Sequence, residues 1–148
     1  MSTKQRPVPV EKLTIVTLAV EDQQAALDWY EEHLGFDRRA DAPFEMDGKE
    51  GRWLTMAPPG NEEIEIALVE PDPDLYEGAM LERIQEMHGT DPMWTFTTED
   101  IDAAIADLDD RGVDVDAETM DTPWGRFAMF RDLDGNALQL HESVEMSD

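Results

Sequence analysis

Glu65, Gln139 and His141 are the side chains of this sequence best suited to act on one small ligand or ion. Gln139 and His141 are alternate residues, so on an extended strand they share a face about 7 Å apart. With Glu65 as third donor they form the best divalent-metal set the sequence offers, but a structural or solvent-facing role is the preferred reading of His141. Glu65 could serve as a general base or as partner for a cationic ligand; the plain alternative is a solvated acid, because this chain uses glutamate freely. His33 and His88 fall late in helical segments, where the negative end of the helix dipole suits them, and neither is given a catalytic role. The run from Asp132 to Asn136 superficially suggests a calcium loop, but its glycine comes too early and turn chemistry accounts for it. Arg52 and Arg126 could grip an anionic group, although ion pairing is the stronger reading in so acidic a chain. Trp124 precedes Gly125 on a loop and could cover a binding site. Trp94 belongs to a core face, and the face of Trp53 is left open.

The elements that position these residues come from a globular chain. Of 148 residues, 41% are hydrophobic, which sets the sequence apart from disordered acidic tails. The 36 acidic and 11 basic side chains give a formal net charge of -25, which opposes nucleic acid or an anionic membrane as partner. Without cysteine there is no disulfide, thiolate metal site or cysteine nucleophile. Residues 1–7 have no hydrophobic stretch behind them, and the apolar run at 15–20 is too short to cross a bilayer. A soluble, cytoplasmic protein is the expectation.

An internal repeat organises the chain. Val20-Glu21-Asp22, Ala25-Ala26-Leu27 and Leu34-Gly35-Phe36 are echoed by Thr98-Glu99-Asp100, Ala103-Ala104-Ile105 and Arg111-Gly112-Val113. Arg52-Trp53 falls opposite Arg126-Phe127, and Ile64-Glu65-Ile66 opposite Leu138-Gln139-Leu140, with separations near 74 to 78 residues. Each unit reads as a strand, a helix and three strands. Asp22 and Gly35 bracket the first helix, and Asp100 and Gly112 the second. Hairpins are expected around residues 58–61 and around Asp134-Gly135. The first module spans about residues 11–70 and the second about 91–142, within one domain over 1–148. The linker between them, about 71–90, carries a short helix through Ile84.

Alternation sorts the strands into faces. Val16/Leu18/Val20, Ile64/Ile66/Leu68, Trp94/Phe96 and Leu138/Leu140 form apolar faces for the helices to cover. The opposite, mixed faces carry Ile15/Thr17, Glu65/Ala67, Met93/Thr95 and Gln139/His141. On one curved sheet these would line a concave surface suited to a small molecule.

The duplicated unit resembles the vicinal oxygen chelate superfamily, which includes glyoxalase I, bleomycin-resistance proteins and extradiol dioxygenases. The resemblance rests on Val20-Glu21-Asp22 leading to Trp29-Tyr30, on Leu34-Gly35-Phe36, on Pro123-Trp124-Gly125-Arg126-Phe127, and on Arg131-Asp132-Leu133-Asp134-Gly135-Asn136. It implies an α+β fold of two βαβββ modules forming a curved mixed sheet, a cup often completed across a homodimer. In metal-dependent members the ligand positions carry over onto Ile15, Glu65, Met93 and Gln139. The family has His or Gln at the first and third of these and Glu at the second and fourth. Isoleucine offers no donor and a thioether suits soft metals, so no cofactor is favoured. The leading expectation is metal-free binding of a small molecule in a cup lined by Ile15, Thr17, Trp53, Glu65, Met93, Thr95, Trp124, Arg126, Gln139 and His141. Two alternatives stand beside it. One is a lyase, isomerase or dioxygenase using a divalent ion on Glu65, Gln139 and His141; the other is a non-catalytic dimeric interaction module.

Lys4, Lys12 and Lys49 are the only lysines among the 11 basic residues, and the acids are dispersed along the chain. That pattern suits concentrated salt, where the Debye length shrinks to about 3 Å near 1 M and self-repulsion is screened. Thermal melting should therefore show a higher midpoint in molar than in dilute salt. Equal midpoints would reject a salt-adapted surface.

Overall fold

The structure, a computed structural model, describes residues 9–143; residues 1–7, read above for a leader, lie outside the described part. The first module comprises β1 (Ile15–Ala19), α1 (Gln23–Leu34), β2 (Asp37–Met46), β3 (Lys49–Ala57) and β4 (Glu65–Val69). The connecting helix α2 (Gly78–Met87) follows. The second module comprises β5 (Thr95–Thr97), α3 (Ile101–Asp110), β6 (Asp114–Val115), β7 (Met120–Thr122), β8 (Gly125–Arg131) and β9 (Ala137–Ser143). The fold is α+β, built from two modules of the same kind.

Local chemistry starts and stops the helices. The Asp22 carboxylate accepts from the Ala25 N–H at 2.9 Å and that of Asp100 from the Ala103 N–H at 3.0 Å, each satisfying an orphan donor of a first turn. Gly35 closes α1 in the left-handed region at φ 71. Leu27 and Tyr30 of α1 and Ile101 and Leu108 of α3 are buried. The longest strand, β2, was not located by the alternation argument. It carries five charged residues and Pro43, and only its register reveals it: Asp47 and Gly48, at φ 53 and 78, turn it back antiparallel onto β3. As an edge strand it tolerates the proline.

Two sheets result, ordered β1-β4-β3-β2 and β5-β9-β8-β6, with β7 also pairing β8. In each, the first strand lies parallel to the last and forms a free edge. Both turn their apolar faces to a single core. Leu18, Leu54, Met56 and Leu68 of the first sheet share it with Ala128, Phe130, Leu138 and Leu140 of the second and with both module helices. Phe36, Phe96 and Phe130 run across the seam at ring separations of 5.5 and 6.3 Å.

A polar clasp crosses the same seam. The Tyr30 hydroxyl donates to Asp132 Oδ2 at 2.5 Å, and the Asp132 carboxylate also accepts from the N–H groups of Asp134 and Asn136 and from the Asn136 side-chain amide. Asp132 is thus spent on organising its own turn and on α1, which disposes of the calcium-like reading. Burial, reinforced by the Asp132 charge, pushes the Tyr30 hydroxyl well above its ordinary range, so it remains a proton donor. Tyr30→Phe should cost about 1.5–3 kcal/mol, the worth of a buried hydrogen bond to a charged group. Urea unfolding in molar salt measures it; a loss below about 0.5 kcal/mol would show that the clasp adds little beyond the packing of the ring.

Candidate functional site

Strand register assigns the mixed face of the first sheet residue by residue. Ile15 pairs with Glu65 and Thr17 with Ala67, while Ala67 lies opposite Thr55, and Thr55 and Trp53 lie opposite Ala40 and Ala42. Ile15, Thr17, Glu65, Thr55 and Trp53 therefore occupy one face, which settles the side of Trp53. Ile15 and Trp53 remain 43% and 39% exposed, whereas Thr55 is fully buried. The Thr55 hydroxyl accepts from the Ala40 N–H at 3.0 Å and donates to the Glu65 carboxylate. A register shift between Arg38 and Ala40 makes this possible, because a bulge re-aims backbone groups that a regular ladder would consume.

The second sheet presents a matching face. Thr95 pairs with Gln139 and Thr97 with His141, and β8 places Met129 beside Gln139 and Phe127 beside His141. The Thr95 hydroxyl donates to Gln139 Oε1 at 3.2 Å. His141 stacks on Phe127 with centroids 4.4 Å apart, and its Nε2 lies 3.0 Å from the Trp124 carbonyl, so that nitrogen carries the proton. Gly125, at φ 143, lets the chain come this close: a Cβ there would strike the Glu142 carbonyl and the His141 ring. Trp124 itself is 57% exposed.

Within each sheet the expected residues come together; across the sheets they do not. Because both apolar faces close on the common core, both mixed faces turn away from it. The clefts between the modules, of about 260 and 240 Å3, are lined by Phe36, Phe130 and Leu108 and by Val16, Ile66 and Trp94, and include neither Glu65 nor Gln139. A single chain therefore carries two separate mixed faces.

Two placements differ from the expectation. Met93 precedes β5 with left-handed backbone at φ 57, so strand alternation does not govern it, and Thr95 is the residue beside Gln139. Arg126 pairs with Glu142 on the helix-covered face and forks onto Asp102 of α3 at 2.9 and 3.1 Å, so it lies off the mixed face. Arg52 forks in the same way onto Asp41. Thr55, Phe127 and Met129 escaped the sequence reading. Thr55 and Trp53 alternate on one strand, and register counted back from the Asp134-Gly135 turn would have brought Phe127 to His141.

The donor set does not fit a resident divalent ion. Among the described residues no group of three or more His, Asp or Glu side chains is arranged to hold a metal. Ile15 and Thr95 flank Glu65 and Gln139, and the Nε2 of His141 is spent on a carbonyl.

Residues 12–140 match the model of the Glyoxalase/Bleomycin resistance protein/Dioxygenase superfamily, and the chain belongs to that family. It is 34% identical over 133 residues to the uncharacterised protein YetH of Bacillus subtilis (strain 168), covering 90% of this chain and 99% of that one. TnmS3, an antibiotic binding protein from Streptomyces sp. CB03234, is 35% identical with a TM-score of 0.70, covering 93% of this chain and 100% of that one. A superfamily member from Sphaerobacter thermophilus DSM 20745 is 29% identical with a TM-score of 0.70, over 90% and 98% of the two chains. No helix among the described residues is long and apolar enough to cross a membrane.

The Asp102–Arg126 pair gives a test of where Arg126 points. Hydrogen bonding to the guanidinium holds the Asp102 carboxyl below the usual carboxylate range. A depressed folded pKa means that the pair's stabilisation is present above the unfolded value, about 3.9, and fades as pH falls through the folded one. In Arg126→Met the Asp102 carboxyl should titrate at a higher pH than in the native protein, read by NMR of the side-chain carbon. An unchanged midpoint would place Arg126 elsewhere.

Proposed function

We propose that this protein binds a small, largely apolar molecule in the cytoplasm, without a resident metal, in a cup that two copies of the chain complete. The observation that carries this reading is the pair of mixed faces left uncovered by helix, each combining exposed apolar side chains with one or two polar groups. Ile15 lies beside Glu65 on one, with Trp53 further along the same face; Phe127, Met129 and His141 surround Gln139 on the other. Apolar surface with a few placed polar groups is what small-molecule sites are made of.

A second copy supplies the missing half. β1 and β5 are edge strands with an unpaired side, and exposed edges are open to pairing with another chain. Setting the first sheet of one copy beside the second sheet of its partner brings the two mixed faces together and covers Ile15, Trp53 and Trp124. The symmetric assembly contains two such cups. The likeness to an antibiotic binding protein supports a binding role over catalysis.

Sedimentation velocity in molar salt should give a dimer, and Ile15→Asp should weaken it by about tenfold or more while circular dichroism stays unchanged. Protein purified without chelator should carry far less than one equivalent of any divalent metal. A monomer at micromolar concentration would overturn the shared cup. Stoichiometric metal that disappears in Glu65→Ala would replace binding with metal chemistry.

A further inference from the structure

We infer that the cup takes a planar aromatic cation, and that Thr55 is the positioning residue that presents Glu65 to it. The inference rests on the shared-cup reading and adds the chemical class of the ligand.

The argument begins with one proton. A threonine hydroxyl has a single hydrogen to donate. Thr55 Oγ1 already accepts from the Ala40 N–H, so its hydrogen is directed at Glu65 Oε1. That arrangement fixes the orientation of the carboxyl group. Thr55 is itself fully buried and held by the bulge in β2, so the arrangement is rigid. Glu65, half-buried at the start of β4, stands on this platform with Ile15 beside it.

The charge it presents is unbalanced. Among the described residues Glu65 takes part in no ion pair, whereas Arg52, Arg126 and Arg131 are each bound to an aspartate. Lys49 lies on the Trp53 side of β3 but six residues from Thr55, about 20 Å along the strand. When a partner sheet closes over this face, an ionised carboxylate loses solvent, and that is costly unless a cation or strong donors replace the water. The bases on these strands are engaged elsewhere, Arg39 on the Pro58 carbonyl, Arg131 on Asp116 and the His141 Nε2 on the Trp124 carbonyl, so the ligand is left to supply the charge. The surroundings specify its shape. Trp53 on this half and the stacked Phe127–His141 pair on the other offer flat aromatic faces, which favour a delocalised cation over a compact ammonium.

The protein's overall negative charge attracts any cation, so the test belongs in molar salt, where that general field is screened. Three planar probes of similar size suffice: acridine orange as cation, anthracene-2-carboxylate as anion and 9-hydroxymethylanthracene as neutral compound. Titrated into the native protein and followed by fluorescence, the cation should bind saturably and about tenfold or more tighter than the other two. Glu65→Gln should abolish that preference, while Asp109→Asn, an exposed acid on α3, should leave it intact. Thr55→Val should weaken cation binding and Thr55→Ser should restore it, with circular dichroism confirming the fold of both. Equal binding of all three probes, unaltered by Glu65→Gln, overturns the inference and leaves the cup standing. Binding of none overturns both.

Discussion

Each sheet has two faces, and the chain supplies enough helix to cover only one of each. α1 and α3 are drawn to the aliphatic sides of their own sheets, and the two covered sides then close on each other through Phe36, Phe96 and Phe130. Burial of this apolar surface, worth roughly 25 cal/mol per Å2, dominates the packing. Its consequence is geometric. Whatever the strands carry on their other sides is turned outward, and no rearrangement within one chain can cover it without exposing the core. A site on those faces is therefore either open to solvent or closed by another molecule.

What the sequence made legible follows from how local each signal is. Asp22, Gly35 and Asp100 act on backbone groups within a turn of themselves, and their caps are present. Alternation in β1, β4 and β9 is equally local, since neighbouring side chains point to opposite faces regardless of the fold. β2 was hidden for the converse reason. It is an exposed edge with one half-buried aromatic, Phe44, and no apolar stripe, so its identity lies in its pairing with β3. The position of Met93 depends on a single left-handed residue before β5, and alternation cannot anticipate it. Arg126 was misplaced because the strand of its partner Glu142 was read while the register joining them was not.

The arginines show how an acidic chain spends scarce positive charge. Arg52 and Arg126 occupy equivalent places in the repeat, and each forks onto an aspartate, Asp41 in β2 and Asp102 in α3. The forked geometry of guanidinium suits this bidentate contact better than an ammonium does. Exposed pairs of this kind contribute little to stability. Their larger effect is to decide where carboxylates are neutralised. The strand faces toward the helices receive those arginines, and the center of the first mixed face receives none.

That asymmetry gives the departure from the family's ligand pattern a physical meaning. Ile15 beside Glu65 offers an ion no donor, and at the third position Met93 offers only a thioether, ahead of the strand that places Thr95 beside Gln139. The carboxylate nevertheless persists, and a buried threonine and a bulged strand hold it in place. An acid with no function on an exposed face has no need of a rigid hydrogen-bonded support. An acid that must meet a ligand in one orientation does, because ordering the carboxylate beforehand lowers the entropic cost of binding. On the proposed reading, the duplicated scaffold offers this oriented carboxyl group to a charge that the ligand itself brings.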